Sequence, residues 1–374
     1  MQAELRGVPL AFEQLKPVLD SELHDAVSMG LLAPATGLGL AIGVIDHGRR
    51  EVLTYGFARP DSIFEIGSVT KTLTGLALAQ LVVEGKARLD EPVGALLPPE
   101  LRGAAAVGEI TLVDLATHRS GLPSLPDNLD LKDPENLSTY GSTALGEYIA
   151  HHGLAKPRET AFSYSSFGIG LLGFALASRA GVSYPHLIES AITVPLKMSD
   201  TAFDLSPDQR RRMMRGHDAH LEATELGAPS SSVFAAAIGA KSTVGDLLTY
   251  LDANLHPERY PTLAAALALD HRLEADTGPD SAVALAWLFD RKLGLFEHGG
   301  STPGFTAHTE FMPARDRGIV VLYNRMDELP NQQRFVDRVA ENINELMSGE
   351  PATRLDTIPE SDPALGVLSR GGEQ

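Results

Sequence analysis

The sequence predicts an α/β (α+β) protein with an antiparallel sheet built from both chain ends, flanked by helices, plus a mostly helical subdomain. Short alternating or β-branched runs lie at residues 38–58 and return at 285–323. Between them, the patterns are helical and rich in loops. Because short turns join the consecutive strands, we expect antiparallel pairing, with the terminal helices covering the sheet.

The first third of the chain predicts a helix, a hairpin and a second helix. Leucines at four-residue spacing indicate a helix over residues 12–32. Runs at 38–46 and 51–58 are separated by His47-Gly48, which favours a hairpin. Helical periodicity returns over 70–84 and stops at a glycine, as is typical of a helix C-terminus.

The remaining elements follow from the same patterns. Helices are predicted at 111–117, 144–151, 168–179, 184–196 and 243–255, and an amphipathic one at 332–347. Strands are predicted at 285–290, 292–297, 305–312 and 318–323. This gives a discontinuous sheet subdomain (10–88 and 283–348), a helical subdomain (89–282) and a proline-containing C-terminal tail (349–374) predicted to be a surface strap or disordered. A polar loop at 216–232 could overhang a site.

Composition argues against several classes of function. The formal net charge of −18 repels phosphate backbones and anionic lipid, so we expect no nucleic-acid or membrane-surface partner. The chain has no cysteine, which removes disulfides, iron–sulfur clusters, thiolate zinc sites and a cysteine nucleophile. The longest nearly apolar run, 31–45, is interrupted by Pro34 and too short to span a bilayer.

No secretory signal is visible in residues 1–10. We therefore expect a cytoplasmic protein if Met1 is the native start, and a periplasmic or secreted one if a signal peptide was removed. The sequence does not predict an oligomeric state.

Ser68-Val69-Thr70-Lys71 is the first candidate for chemistry. A helix that starts near Ser68 places residues i and i+3 on one face, so the Lys71 amine would lie beside the hydroxyl. Free serine is a poor nucleophile, and a neighbouring amine activates it. The ordinary alternative is that Ser68 only caps the helix and Lys71 is a solvated charge.

Two further segments are candidates. Tyr164-Ser165-Ser166 precedes a helical run, and a tyrosine beside a lysine can act in proton transfer; alternatively, it is a packed tyrosine followed by helix caps. His298-Gly299-Gly300-Ser301 ends a predicted strand, where glycines admit a ligand to the backbone and an N–H can bind an oxyanion. The alternative is a tight turn.

Two other patterns are weaker. Residues 168–173 match G-x-G-x-x-G with Glu189 about 20 residues later, as a dinucleotide site requires, but no strand precedes them. His217 and His220 lie in a polar loop without further ligands, so we expect no metal there. There is no G-x-S-x-G nucleophile elbow.

In order, the three segments resemble the S-x-x-K, Y-x-N and K-T-G motifs of the serine β-lactamase and penicillin-binding-protein superfamily, specifically its class C branch. Residues 63–67, 110–123, 195–198 and 300–305 are similar to it as well. The resemblance spans about residues 15–345. It implies a sheet assembled from both chain ends beside a helical subdomain, with the site between them.

The resemblance also implies roles for individual residues. Ser68 would be the acylated nucleophile. Lys71, within hydrogen-bond reach, would control the protonation of the Ser68 hydroxyl, and Tyr164 would be the general base or a proton relay. The backbone N–H groups of Ser68 and Ser301 would form the oxyanion hole. Catalysis would need no metal and no organic cofactor.

Two departures from the family concern the substrate-binding residues. Ser166 stands where the family has Asn, and His298-Gly299 stands where it has Lys-Thr, before Gly300. Loss of a charge-assisted contact costs about 1.5–3 kcal/mol, so we expect at most modest β-lactamase activity. If His298 met a substrate carboxylate, KM for anionic substrates would rise as pH passes upward through about 6.5.

These observations predict a serine hydrolase that acts on a small ester, amide or β-lactam substrate through an acyl-enzyme on Ser68. A carboxylesterase and a D-Ala-D-Ala-type carboxypeptidase are alternatives at the same site. An alternative from another class is a non-catalytic penicillin-binding or peptidoglycan-sensing module.

Overall fold

Both ends of the chain contribute strands to one eight-stranded antiparallel sheet, whose order is β2-β1-β10-β9-β8-β7-β6-β5. This computed structural model describes residues 8–24, 32, 36–101, 105–130, 135–157, 161–224, 227–326, 334–352 and 355. The strands are β1 Gly39–Asp46, β2 Arg49–Gly56, β3 Phe64–Glu65, β4 Lys241–Ser242, β5 Ala275–Gly278, β6 Ser281–Val283, β7 Leu288–Asp290, β8 Leu295–Thr302, β9 Phe305–Met312 and β10 Arg317–Tyr323. Strands β3 and β4 pair separately.

Strand β1 is buried along its whole length because helices cover both faces of the sheet. Its side chains alternate between two apolar clusters. Ile42 and Val44 belong to a cluster with Val339 of the C-terminal helix, whereas Ala41 and Ile45 belong to the larger cluster shared with the central helices. This period of two is what a strand between two layers requires.

The described α-helices are α1 Leu15–Glu22, α2 Thr70–Val83, α3 Ala105–Gly108, α4 Leu112–Ala116, α5 Glu135–Thr139, α6 Ser142–His151, α7 Ser166–Ala180, α8 Tyr184–Ile188, α9 Val194–Leu196, α10 Pro207–Arg212, α11 Ala235–Ile238, α12 Val244–Leu255, α13 Ala264–Asp270 and α14 Phe335–Ser348. A π-helical turn, Glu189–Thr193, joins α8 to α9. Helix α2 is buried on nearly every side, so both its apolar residues and Lys71 lie in the interior.

The structure confirms the predicted fold class and most of its elements, but three predicted boundaries differ. The second group of sheet strands, β5 to β10, begins at Ala275 rather than at residue 283, because the short strands β5 and β6 pair with each other and β6 pairs with β7. Strand β8 continues beyond its predicted end at residue 297 to Thr302, since it pairs with β9 over that length. The helix predicted over 184–196 is divided by the π-helical turn.

Parts of other predicted segments lie outside the described residues. This holds for 25–31 of the first helix, for 225–226 of the polar loop and for most of the tail. Within the tail, Leu355 is buried in the cluster that contains the C-terminal helix. No single described helix has the length and apolar character of a membrane span; one pair, Ser166–Ala180 with Tyr184–Leu196, meets the criterion together and is bent by 76°.

Candidate active site

Ser68 lies in a single 3₁₀ turn, Gly67–Val69, that leads directly into α2. The turn is fixed by the Thr70 hydroxyl, which donates to the carbonyl oxygen of Gly67 at 2.6 Å. One helical turn onward, Lys71 is fully buried. Its Nζ donates to Ser68 Oγ at 2.8 Å and to the carbonyl oxygen of Ala237 at 3.0 Å. The i, i+3 contact predicted between Ser68 and Lys71 is therefore present.

The electrostatic environment of Lys71 is set by burial. No ion pair joins Lys71 to a carboxylate in the described part of the chain, so nothing offsets the loss of water around the ammonium. Burial lowers the pKa of Lys71 from 10.5 to about 7. A large share of this amine is consequently neutral near pH 7 and able to accept a proton.

Tyr164 lies beside this pair, in the segment that precedes α7. The side chains of Ser68 and Ser166 lie near its hydroxyl and act to lower its pKa, but burial is the larger effect and raises the pKa to about 12. Lys71 Nζ lies 5.0 Å from the centre of the Tyr164 ring. At neutral pH this phenol therefore keeps its proton, whereas the neighbouring amine readily loses one.

His118 holds the segment that carries Tyr164. Its Nδ1 accepts from the backbone N–H of Ser165 at 3.0 Å, and its carbonyl oxygen accepts from the N–H of Ser163 at 2.8 Å. The His118 ring also stacks on Tyr164 at 4.4 Å between centres. Burial keeps the pKa of His118 well below 6.5, so the ring is neutral. This positioning residue was not predicted as part of the site.

Strand β8 forms another wall of the site, and Gly300 allows its backbone to lie close to the turn that carries Ser68. A Cβ on Gly300 would lie 2.0 Å from the carbonyl oxygen of Ile66 and 3.0 Å from the backbone nitrogen of Ser68. No side chain fits there, so the strand backbone directly contacts the nucleophile turn. Strand β7 pairs with β8 only as far as Glu297, which leaves the Gly299–Thr302 edge of β8 available to the site.

His298 lies near the other site residues, but it is neutral. Only 2% of its surface is exposed, and its Nδ1–H donates to the carbonyl oxygen of Gly299 at 2.7 Å. Burial, reinforced by nearby Lys71, lowers the pKa of His298 to about 3. The KM transition near pH 6.5 considered for this residue is therefore not expected, because the ring is neutral across that range.

Arg334 places a guanidinium, paired with Asp337, against Gly299 and Gly300. It precedes α14, and its guanidinium fills the space where Gly299 has no side chain. One nitrogen, Nη1, donates to the carbonyl oxygen of Gly300 at 2.9 Å, while Nε and Nη2 donate to Asp337 at 2.8 and 2.6 Å. The sequence offered only the i, i+3 spacing of Arg334 and Asp337 as a signal.

The two weaker sequence patterns lie in a helix and in a loop. Residues 168–173 lie inside α7 rather than at a strand-to-helix turn, so they do not form a dinucleotide loop. His217 is buried, with its Nδ1 3.3 Å from the carbonyl oxygen of Asn324. The backbone N–H of His217 donates to the carbonyl oxygen of Gly304. Within the same polar loop, the Gly227 N–H donates to Glu65, three residues before Ser68.

Comparison with known proteins agrees with this geometry. The beta-lactamase family model matches residues 31–341, which is most of the chain. The protein belongs to the beta-lactamase family. Family members with curated names include the D-alanyl-D-alanine-carboxypeptidase/endopeptidase AmpH of Escherichia coli (strain K12), 28% identical over 93% of this chain and 95% of that protein. A beta-lactamase of Pseudomonas fluorescens is 26% identical over 86% and 96%.

Solved structures of the family share the fold. A class C beta-lactamase mutant superposes with a TM-score of 0.75 at 23% identity, covering 89% of this chain and 96% of that one. A class C beta-lactamase from Rhodobacter sphaeroides gives 0.70 at 27% identity, covering 83% and 94%. Family membership makes this beta-lactamase-family protein a serine hydrolase of small-molecule substrates.

Proposed function

We propose that Ser68 is the nucleophile of this hydrolase and that Lys71 is its general base in acylation. The observation that carries the proposal is the 2.8 Å contact between Ser68 Oγ and Lys71 Nζ, which is buried and forms no ion pair with a carboxylate among the described residues. In its neutral form the amine accepts the hydroxyl proton as Oγ attacks the substrate carbonyl carbon.

Tyr164 supplies a proton to the leaving group. Its pKa of about 12 means that the phenol is protonated when substrate binds. As the acyl bond breaks, the phenol O–H protonates the departing nitrogen or oxygen, and the proton held by Lys71 then restores the phenol. The net result of acylation is one proton moved from Ser68 to the leaving group. Water completes the cycle by cleaving the acyl-enzyme and reprotonating Ser68.

The backbone N–H groups of Ser68 and Ser301 form the oxyanion hole in this proposal. Support comes from the close approach at Gly300, which brings the β8 backbone against the Ser68 turn. Preorganised donors of this kind contribute about 3–4 kcal/mol to transition-state stabilisation. Ser166 and Gly299–Gly300 line the adjoining substrate-binding surface.

The preferred substrates are small amides or esters with a carboxylate close to the scissile bond, as in D-alanyl peptides and β-lactams. The guanidinium of Arg334 favours these anionic substrates over the neutral esters of a carboxylesterase, because it lies on the Gly300 carbonyl beside the site. The AmpH relative is named a D-alanyl-D-alanine-carboxypeptidase/endopeptidase. Since Ser166 and His298 replace family residues that bind the substrate, β-lactam hydrolysis is expected to be modest.

Intact mass spectrometry after exposure to a β-lactam tests the nucleophile. One acyl group per chain is expected on the parent protein and on a Ser190→Ala control, which changes an exposed serine, and none on Ser68→Ala. Rates on a chromogenic cephalosporin, a p-nitrophenyl ester and a D-alanyl-D-alanine peptide then rank the substrates. A persistent adduct without turnover of any of them would instead support a non-catalytic penicillin-binding module.

A further inference from the structure

A buried histidine is surrounded by carboxylates on the face of the sheet that carries the C-terminal helix. In the β8–β9 register, Glu297 lies opposite Glu310 and Gly299 opposite His308. His308 and Glu310 contact Asp337 and Asn344 of α14, so their side chains point to that layer. Because side chains alternate along a strand, His298 and Gly300 of β8 point instead towards Ser68. The cluster thus lies on the other face of β8 from Ser68, and Arg334, which is paired with Asp337, borders both.

The geometry of this cluster is that of a ligand set. Nδ1 of His308 lies 2.8 Å from an Asp337 oxygen, while Nε2 lies 2.9 Å from Glu310 and 4.0 Å from Glu297. The His308 side chain is 5% exposed. One ligand atom each from Glu297, His308 and Glu310 falls within 4.8 Å of the others.

The surroundings carry an excess of negative charge. A cavity of about 480 Å³ adjoins the cluster and connects it to the surface. Two arginines, Arg315 and Arg334, line this cavity, against seven acidic side chains: Asp290, Glu297, Glu310, Asp337, Glu341, Glu345 and Glu350. Of these seven side chains Glu310 is buried, and a buried carboxylate is costly unless a cation compensates it.

We propose that Glu297, His308 and Glu310 bind one Zn²⁺ ion, with water from the cavity as the fourth ligand. Imidazole nitrogen and carboxylate oxygen are ligands that zinc accepts in a three-protein-ligand site. Asp337 on the remote nitrogen of His308 fixes the ring, as carboxylates behind metal-binding histidines do. The ion takes the place of the hydrogen between His308 and Glu310, so binding releases one proton to solvent.

The required adjustment is small. Ligand atoms around tetrahedral zinc lie about 3.3–3.5 Å apart, given bond lengths of about 2.0–2.2 Å. The observed 2.9 and 4.0 Å separations from Nε2 bracket this value. Glu297 has a partly exposed side chain and is able to make most of the movement, whereas His308 and Glu310 are held by α14.

Zinc binding to the full chain tests the site. After removal of metal with a chelator, Zn²⁺ is titrated in competition with a chromophoric zinc chelator, and zinc X-ray absorption reports the ligands. The expected result is one ion per chain, bound through one imidazole and otherwise oxygen. Glu297→Gln is expected to weaken binding at least about tenfold, as loss of one carboxylate ligand should.

Two variants serve as controls. Glu297→Gln leaves the contacts of His308 with Asp337 and Glu310 intact, so the fold is retained and circular dichroism verifies it. His186→Asn removes an exposed histidine 3.3 Å from Glu189 and is expected to leave zinc affinity unchanged. Absence of stoichiometric uptake would overturn the proposal and leave His308 as a protonated partner of its carboxylates. Equal affinity of Glu297→Gln and parent would also overturn it, by placing the ion elsewhere.

Discussion

Lys71 donates to the hydroxyl of Ser68 from a position that is fully buried and has no carboxylate ion-pair partner in the described chain. The energetic cost of the buried ammonium lowers its pKa to about 7. The same arrangement therefore activates the serine and destabilises the folded protein. Its consequences for rate and for stability are open to separate measurement.

The rate of acylation should follow the titration of Lys71. Because the neutral amine accepts the serine proton, kcat/KM for a neutral ester is expected to rise as pH increases and to level off above about 7. Lys71→Arg should lose at least about a hundredfold in rate, since a guanidinium remains protonated. Steady-state kinetics across this pH range measure both effects, and a flat profile for the parent enzyme would assign the base elsewhere.

Replacement of Lys71 by Met should stabilise the protein while it abolishes turnover. The folded-state pKa is depressed, so the unfolded chain binds more protons below pH 10.5, and stability falls as pH decreases from 10.5 to about 7. At pH 7, Lys71→Met is expected to gain about 2–4 kcal/mol, after the unpaired carbonyl of Ala237 offsets part of the effect. Denaturant unfolding measures the gain, which should shrink towards pH 10; an equally large gain there would refute the electrostatic origin.

Removal of the Tyr164 hydroxyl should reduce kcat with little change in KM. The phenol is proposed to protonate the leaving group, and such transfers contribute about 10²–10⁴-fold. Tyr164→Phe keeps the ring stacked on His118 and should therefore fold normally. An activated ester, whose leaving group needs less protonation, is expected to lose less rate than an amide. Equal losses on both substrates would argue against the leaving-group role.

Gly300→Ala should disrupt the site by pushing β8 away from the Ser68 turn. The new methyl group would lie 2.0 Å from the backbone oxygen of Ile66, which has little freedom to move. We expect a loss of about 1–3 kcal/mol in stability together with a large loss of kcat. Gly153→Ala is the control, because a Cβ there meets nothing within 4 Å. Thermal unfolding and acylation rates measure the two effects.

Arg334→Gln should affect anionic substrates selectively. If its guanidinium attracts a substrate carboxylate, KM for a D-alanyl-D-alanine peptide is expected to rise about ten- to a hundredfold, with KM for a neutral p-nitrophenyl ester unchanged. Arg291→Gln alters an exposed arginine that is also paired with an aspartate, so it provides a matched control. Parallel changes for both substrates in Arg334→Gln would indicate a general disturbance of β8 instead.

The sequence patterns predicted those elements whose strands and turns are formed by residues close together in the chain. The hairpin at His47-Gly48 and strand Phe305–Met312 were predicted because period-two patterns and turn residues lie within a few positions of each other. The short strands β5 and β6 were missed because segments of four and three residues, partly exposed, carry no clear periodicity. The predicted strand stopped at residue 297, with a tight turn as the alternative for the glycines that follow, since glycine weakens strand propensity and pairing with β9 holds them extended.

In the candidate site, too, the contact between residues close in sequence was predictable, whereas contacts between distant segments were not. The Ser68–Lys71 contact follows from helical i, i+3 spacing and was predictable. His118 and Arg334 reach the site only through tertiary packing, across 47 residues to Ser165 and 33 residues to Ser301. The neutrality of His298 depends on its burial, which no short pattern around it encodes.

Pairing of β1 with β10 has a consequence for biosynthesis. The N–H of Gly39 donates to the side chain of Asn324 across 285 residues of chain. A growing polypeptide therefore emerges from the ribosome with β1 paired on one side by β2, while its other edge lacks a neighbour until β10 has been synthesised. Strand β8, whose Gly300 lies against the Ser68 turn, is also made more than 200 residues after Ser68, so the proposed site is incomplete until that strand has been synthesised.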